Sequence, residues 1–166
     1  MSELPSFEQL SELPTVSGLV VGPEHLDVNG HMNIRHYFML GSTALWQRSL
    51  DDLGMPASYI TDRGLTTFTA EQHLRYFGEC TEGDRLAAGV VVVDRGDKSL
   101  HLAAVLTNHT RRELSCVMEA LLVHVDFATR RPVSWPDDVA ALLDDRRTGD
   151  RLGWTVPLSG GLGVRR

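Results

Sequence analysis

Three consecutive apolar runs between Asp84 and Asp126 constrain this chain most. Residues 84–94 contain Val90-Val91-Val92-Val93. Residues 99–107 alternate, with Leu100, Leu102, Ala104 and Leu106 on one side, and residues 114–126 are apolar on both sides. The links at 95–98 and 108–112 are turn-like and too short for a crossover, so the runs predict antiparallel neighbours with 114–126 central in the sheet. Upstream, 66–77 is rich in Thr, Phe and Tyr and reads as another strand, and 16–21 as a short one ended by Gly22-Pro23.

Between these two lies the best helix candidate, 33–53. Asn33 can cap it, and Gly54 and Pro56 can stop it. Ile34, Tyr37, Phe38, Gly41, Ala44 and Leu45 recur at helical spacing, and the small residues among them permit close approach to a sheet. The order of one short strand, one long helix and four strands predicts an α+β fold, an antiparallel sheet wrapped around one long central helix. The expected organisation is an arm at 1–14, one domain at 15–135, and a tail at 136–166. That tail carries a short helix near 137–147 and a Gly-rich end, mobile unless a neighbour holds it. Strand 114–126 is apolar on both faces, so the side of the sheet away from the helix needs a cover. A second subunit is the expected one, giving a homodimer or homotetramer.

With 166 residues and 42% hydrophobic content, the chain suits a single core. No apolar run approaches membrane-spanning length, and the acidic residues 1–13 do not read as a secretory signal, so no membrane is expected and the cytoplasm is the expected location. A net charge of −6 argues against nucleic-acid binding. Cys80 and Cys116 form no CxxC pair, and Cys116 reads as a buried small hydrophobe. The seven histidines follow no metal-ligand spacing, so no metal is expected.

The densest chemistry lies at Asp27-Val28-Asn29-Gly30-His31-Met32-Asn33-Ile34-Arg35-His36-Tyr37, where the first strand leads into the helix. A helix start offers unpaired N–H groups and partial positive charge, suited to a developing oxyanion. Asp27 just upstream can serve as nucleophile or as general base for water. Gly30 permits a backbone conformation closed to other residues. From the residues alone, Asp27 can equally close an Asx-turn, Asn33 can merely cap the helix, and His31 can be an ordinary loop histidine. On strand 66–77, alternation puts Thr67, Thr69, Glu71, His73 and Arg75 on one face, making Glu71 and His73 candidate acid/base groups. Glu119, an isolated carboxylate in an apolar strand, needs a partner; an interface arginine would serve, in a structural role.

The Asp-x-x-Gly-His-x-Asn pattern at 27–33, followed by Tyr37, resembles the signature of hotdog-fold thioesterases of the 4-hydroxybenzoyl-CoA thioesterase-like group. The segments 68–76, 97–101 and 124–126 resemble the branch that contains betainyl-CoA thioesterase. The resemblance implies the hotdog fold and hydrolysis of an acyl-CoA to a carboxylic acid and free CoA. It also implies Asp27 as the catalytic carboxylate, the following helix start as oxyanion hole, and His31 and Asn33 as orienting groups. Ile34 departs from it, since many members have a second Asn there. No cofactor is implied beyond the CoA that enters with the substrate. Gly30, Tyr37, Arg75, Tyr76, Arg111 and Arg112 are the candidate substrate-binding residues, the arginines for the CoA phosphates. Two alternatives remain: an enoyl-CoA hydratase or dehydratase on the same fold, and a non-catalytic acyl-CoA-binding sensor.

Overall fold

A computed structural model describes residues 4–148 and 151–164; the parts of the expected arm and tail at 1–3, 149–150 and 165–166 lie outside the described residues. A capped turn of helix α1 (Phe7–Leu10) precedes strand β1 (Ser17–Val20). Then come the long helix α2 (Ile34–Asp52), the short α3 (Tyr59–Arg63), strands β2 (Leu65–Tyr76), β3 (Arg85–Arg95), β4 (Ser99–Asn108) and β5 (Glu113–Asp126), and helix α4 (Asp137–Asp145). The strands form one antiparallel sheet in the order β1-β3-β4-β5-β2. The three runs read as antiparallel neighbours are β3, β4 and β5. The sheet with α2 against it is the hotdog arrangement.

α2 begins where expected: the Asn33 side chain accepts the Arg35 N–H at 3.1 Å. Its buried stripe is Tyr37, Leu40, Gly41, Ala44 and Leu45. A Cβ on Gly41 would stand 2.8 Å from Met118 Sδ and 3.3 Å from Met118 Cβ, so a side chain here would force Met118 to shift. Ile34 and Phe38, expected on that stripe, are exposed. Phe38 sits just off its edge, whereas Ile34 is in line with the stripe but stands in the first turn of the helix, lining an open cleft. Met32, Leu40, Ala44 and Leu45 join Val90, Val92, Leu102, Leu106, Met118 and Ala120 in the main core.

The other face of the sheet has its own core. Leu10 and Leu13 from the arm, and Trp154 and Val156 from the tail, pack on Val91, Ala103, Val105, Leu114 and Val117. The Trp154 indole N–H donates to Glu12 at 3.2 Å, and the Ser159 N–H donates to Glu119 at 2.5 Å. The chain's own two ends thus supply much of the cover expected from a second subunit. The tail from 151 to 164 is held rather than loose, because two apolar side chains and a buried carboxylate fix it. Glu119 meets His101 at 3.0 Å and the tail, in place of an interface arginine.

Strand β2 corrects the expected polar stripe. Thr69 pairs with Leu122 and Glu71 with Leu121, so Ala70 is an extra residue in a β-bulge. Past the bulge, Glu71, His73 and Arg75 pair with Leu121, Glu119 and Val117, on the arm-and-tail side. Thr67 and Thr69 pair with His124 and Leu122, on the α2 side. One inserted residue flips the alternation.

Candidate active site

The loop before α2 is built around Asp27. Its backbone N–H donates to His31 O at 2.9 Å, Gly30 N–H donates to Asp27 O at 3.0 Å, and Asn29 N–H donates to the Asp27 carboxylate at 2.8 Å. Gly30 turns this loop at φ +75°, the left-handed region. Asp27 therefore does close an Asx-turn, yet only one of its oxygens is used there, and the carboxylate still faces a cleft. Met32, buried behind the loop, ties it to the segment after β2 by donating to Cys80 O at 2.8 Å.

That cleft, of about 400 Å³, is lined by Asp27, Asn29, His31, Met32, Ile34, Tyr37, Tyr76, Phe77, Gly78 and Glu79. The N–H of Ile34, first in α2, has no intrahelical acceptor. His31 Nε2 lies 3.0 Å from Glu79, with both side chains partly exposed. Tyr37 is buried: its hydroxyl donates to Gly78 O at 3.5 Å and accepts from Cys80 N–H at 3.1 Å. Burial first, then Cys80, raises its pKa far above the ordinary tyrosine value, so the phenol stays neutral. Tyr76 packs edge-on against Tyr37 at 5.3 Å. The cleft thus brings together a carboxylate, a histidine–carboxylate pair and a helix start beside an aromatic wall. Such a set can hold a carbonyl oxygen and present a base or nucleophile to its carbon.

The structure gathers Asp27, Gly30, His31, Tyr37 and Tyr76 at or beside this cleft, with Asn33 capping the adjacent helix. It does not bring Glu71 and His73 there: Glu71 lines a separate depression with Asp97, Lys98 and Leu121. The expected phosphate-binding arginines are engaged elsewhere. Arg75 donates to Leu158 O and Pro157 O. Arg111 pairs with Asp84 at 2.9 Å and Arg112 with Glu8, its guanidinium over the Phe7 ring. Glu79 escaped notice in the sequence, where an acidic residue in a short loop after a strand carries no periodic signal. Cys116 is fully buried, as expected, and burial pushes its thiol up to about 12. Among the described residues, no three His, Cys, Asp or Glu side chains gather as a metal would need, and no helix is long and apolar enough to cross a membrane.

Residues 21–143 match the thioesterase-like superfamily. The chain belongs to that family. This bears out the resemblance carried by the loop at 27–33. The chain is 28% identical over 119 residues to an L-carnitine dehydrogenase/betainyl-CoA thioesterase of a Rhizobium species, a match covering 71% of this chain and 23% of that protein. It therefore spans about a quarter of the length of that relative. It is 25% identical over 154 residues to a betainyl-CoA thioesterase of Pseudomonas aeruginosa, covering 93% of this chain and 94% of that one. Among solved structures, the thioesterase-like fold is shared with a hypothetical protein from Staphylococcus aureus in complex with CoA. There the TM-score is 0.77 and the identity 22%, over 93% of this chain and 96% of the other. A 1,4-dihydroxy-2-naphthoyl-CoA thioesterase from Synechocystis shares it at a TM-score of 0.65 and 12% identity, over 77% and 93%.

Proposed function

We propose that this protein is an acyl-CoA thioesterase, converting an acyl-CoA and water to a carboxylic acid and free CoA. The observation that carries this is the half-engaged Asp27 carboxylate in the loop leading into α2, in a cleft, within a chain of the thioesterase-like superfamily. The thioester carbonyl lies with its oxygen toward the first amides of α2. Asp27 attacks the carbon or takes a proton from the attacking water, and the C–S bond breaks to release the CoA thiol. His31, held by Glu79, orients the substrate. The buried neutral Tyr37 and Tyr76 shape the acyl side, and no cofactor is used beyond the CoA of the substrate. The names of the curated relatives support this chemistry.

The protein works in the cytoplasm as a homodimer or homotetramer. β2 is an edge strand, paired only with β5, and Phe38, Met39 and Trp46 are exposed on α2. Both features suit a second copy. Glu71 and His73 would meet an Asp27 only if another copy supplied it. The test of the activity is free-thiol release across short, long, aromatic and betainyl acyl-CoA esters. Asp27-dependent release is expected, and silence across the set would overturn the assignment. A monomer by light scattering at working concentration would remove the oligomer.

A further inference from the structure

A second cavity, of about 670 Å³, adjoins the Asp27 cleft. Tyr76 and Phe77 line both. The rest of its wall comes chiefly from Leu4 and from Val156, Pro157 and Leu158 of the tail, outside the matched segment 21–143. The common core thus supplies the cleft, while the two ends of this chain supply the adjoining space.

The tail wall is fixed in place. Val156 is buried in the arm-and-tail core, and the Ser159 N–H is bonded to Glu119. Arg75 Nη1 donates to Leu158 O at 3.0 Å and to Pro157 O at 3.4 Å, and its guanidinium lies 5.2 Å from the Phe77 ring centroid. Among the described residues Arg75 is the one charged side chain lining this cavity, and its Nη1 is spent on two backbone carbonyls. The other lining side chains are mostly apolar, Leu4, Phe77, Val156, Pro157 and Leu158, with the hydroxyls of Tyr76 and Thr155 among them. The size is that of pockets that bury whole small-molecule ligands.

We propose that this chamber takes the apolar acyl chain of the substrate, and that the C-terminal tail is thereby a specificity-determining wall. This rests on the thioesterase reading of the Asp27 cleft. With the thioester carbonyl at Asp27 on the α2 side, an aliphatic chain rounds the end of β2 at Tyr76 and Phe77 and lies against Leu158 on the tail side. Each methylene sheltered there raises kcat/KM roughly fourfold. Octanoyl-CoA is then favoured over butyryl-CoA on the order of 100-fold.

The test is thiol release from acetyl-, butyryl-, octanoyl- and betainyl-CoA by the full chain and by two variants. Leu158→Trp fills the chamber: the octanoyl advantage falls by roughly tenfold or more, octanoyl-CoA losing far more than acetyl-CoA. Leu158→Ala enlarges it and moves the optimum to longer chains. A flat chain-length profile, a preference for betainyl-CoA, or equal loss on acetyl- and octanoyl-CoA in Leu158→Trp together with no shift in Leu158→Ala would overturn the chamber and leave the thioesterase standing. If no ester is hydrolysed, the thioesterase reading fails, and calorimetric binding of octanoyl-CoA against CoA decides the chamber. Tighter octanoyl-CoA binding, weakened by Leu158→Trp, upholds it; equal binding overturns it.

Discussion

The molecule holds two kinds of polar cluster, and their difference separates chemistry from architecture. In the cleft, Asp27 spends one oxygen on the Asn29 amide, and His31 meets only Glu79 near solvent. Deeper in the molecule, the buried Asp84 accepts three donors at Oδ2, from Thr81 N–H, Asn108 and Arg111, and the buried Glu119 is shared between His101 and the tail amide of Ser159. Burial works to raise the Asp84 pKa, but those three donors outweigh it and hold the carboxyl below its ordinary value. A buried carboxylate held by several donors in this way braces the fold. A partly engaged one at the mouth of a cleft retains lone pairs for a substrate or a water.

Breaking the buried clusters is expected to cost stability and spare turnover. The largest effect belongs to Asp84→Ala, which leaves Asn108 and the Thr81 amide without their acceptor and Arg111 without its partner. It should lower the unfolding free energy by about 3 kcal/mol, discounted for the partial exposure of Arg111. Denaturant unfolding measures this, and kcat should be kept in the folded fraction. Glu119→Ala should cost about 2 kcal/mol by unpairing the Ser159 amide and His101. Proteolysis should then cut the tail faster than the core.

On the cleft side, Glu79→Gln removes only a solvent-screened partner. It should lower kcat/KM by roughly threefold without moving the unfolding midpoint. The mildest test is pH. His124 accepts from the Tyr59 hydroxyl at 3.0 Å, contacts Val133 O at 2.9 Å through its other nitrogen, and stacks on Trp135, so it is buried neutral. Burial lowers its pKa from 6.5, against weaker backbone bonds that raise it. A depressed histidine pKa stabilises fully above 6.5, and that contribution is lost as pH falls through the folded value. Stability should decline from pH 7.5 to 5.5 in the parent and less steeply in His124→Phe, where the lowered pKa of His36 still acts. The Asp84 contribution, complete above 3.8, should fade only below that.

Much of this was legible in the chain. Short turns made β3, β4 and β5 antiparallel neighbours, and Asn33 announced the start of α2. The Asp-x-x-Gly-His-x-Asn loop marked the cleft. What was hidden has physical reasons. The bulge at Ala70 reverses the facing of β2 through a single residue, and a two-residue period carries no record of that insertion. The tail holds through Trp154 and Val156, two side chains spaced among glycines and prolines, too few to make a periodic pattern. Arg75, Arg111 and Arg112 looked available because their partners, Leu158, Asp84 and Glu8, are remote in sequence. Glu79 joins His31 across a gap that only the fold closes.

The central claim is that Asp27 does chemistry beyond closing its turn, and one variant separates the two roles. Asn at position 27 keeps a side-chain oxygen for the Asn29 amide and loses the charge. We expect Asp27→Asn to retain the parent melting temperature and to lose at least about 100-fold in kcat for thiol release from its best acyl-CoA. Parent-level turnover in a folded Asp27→Asn would contradict the account and leave Asp27 a turn residue.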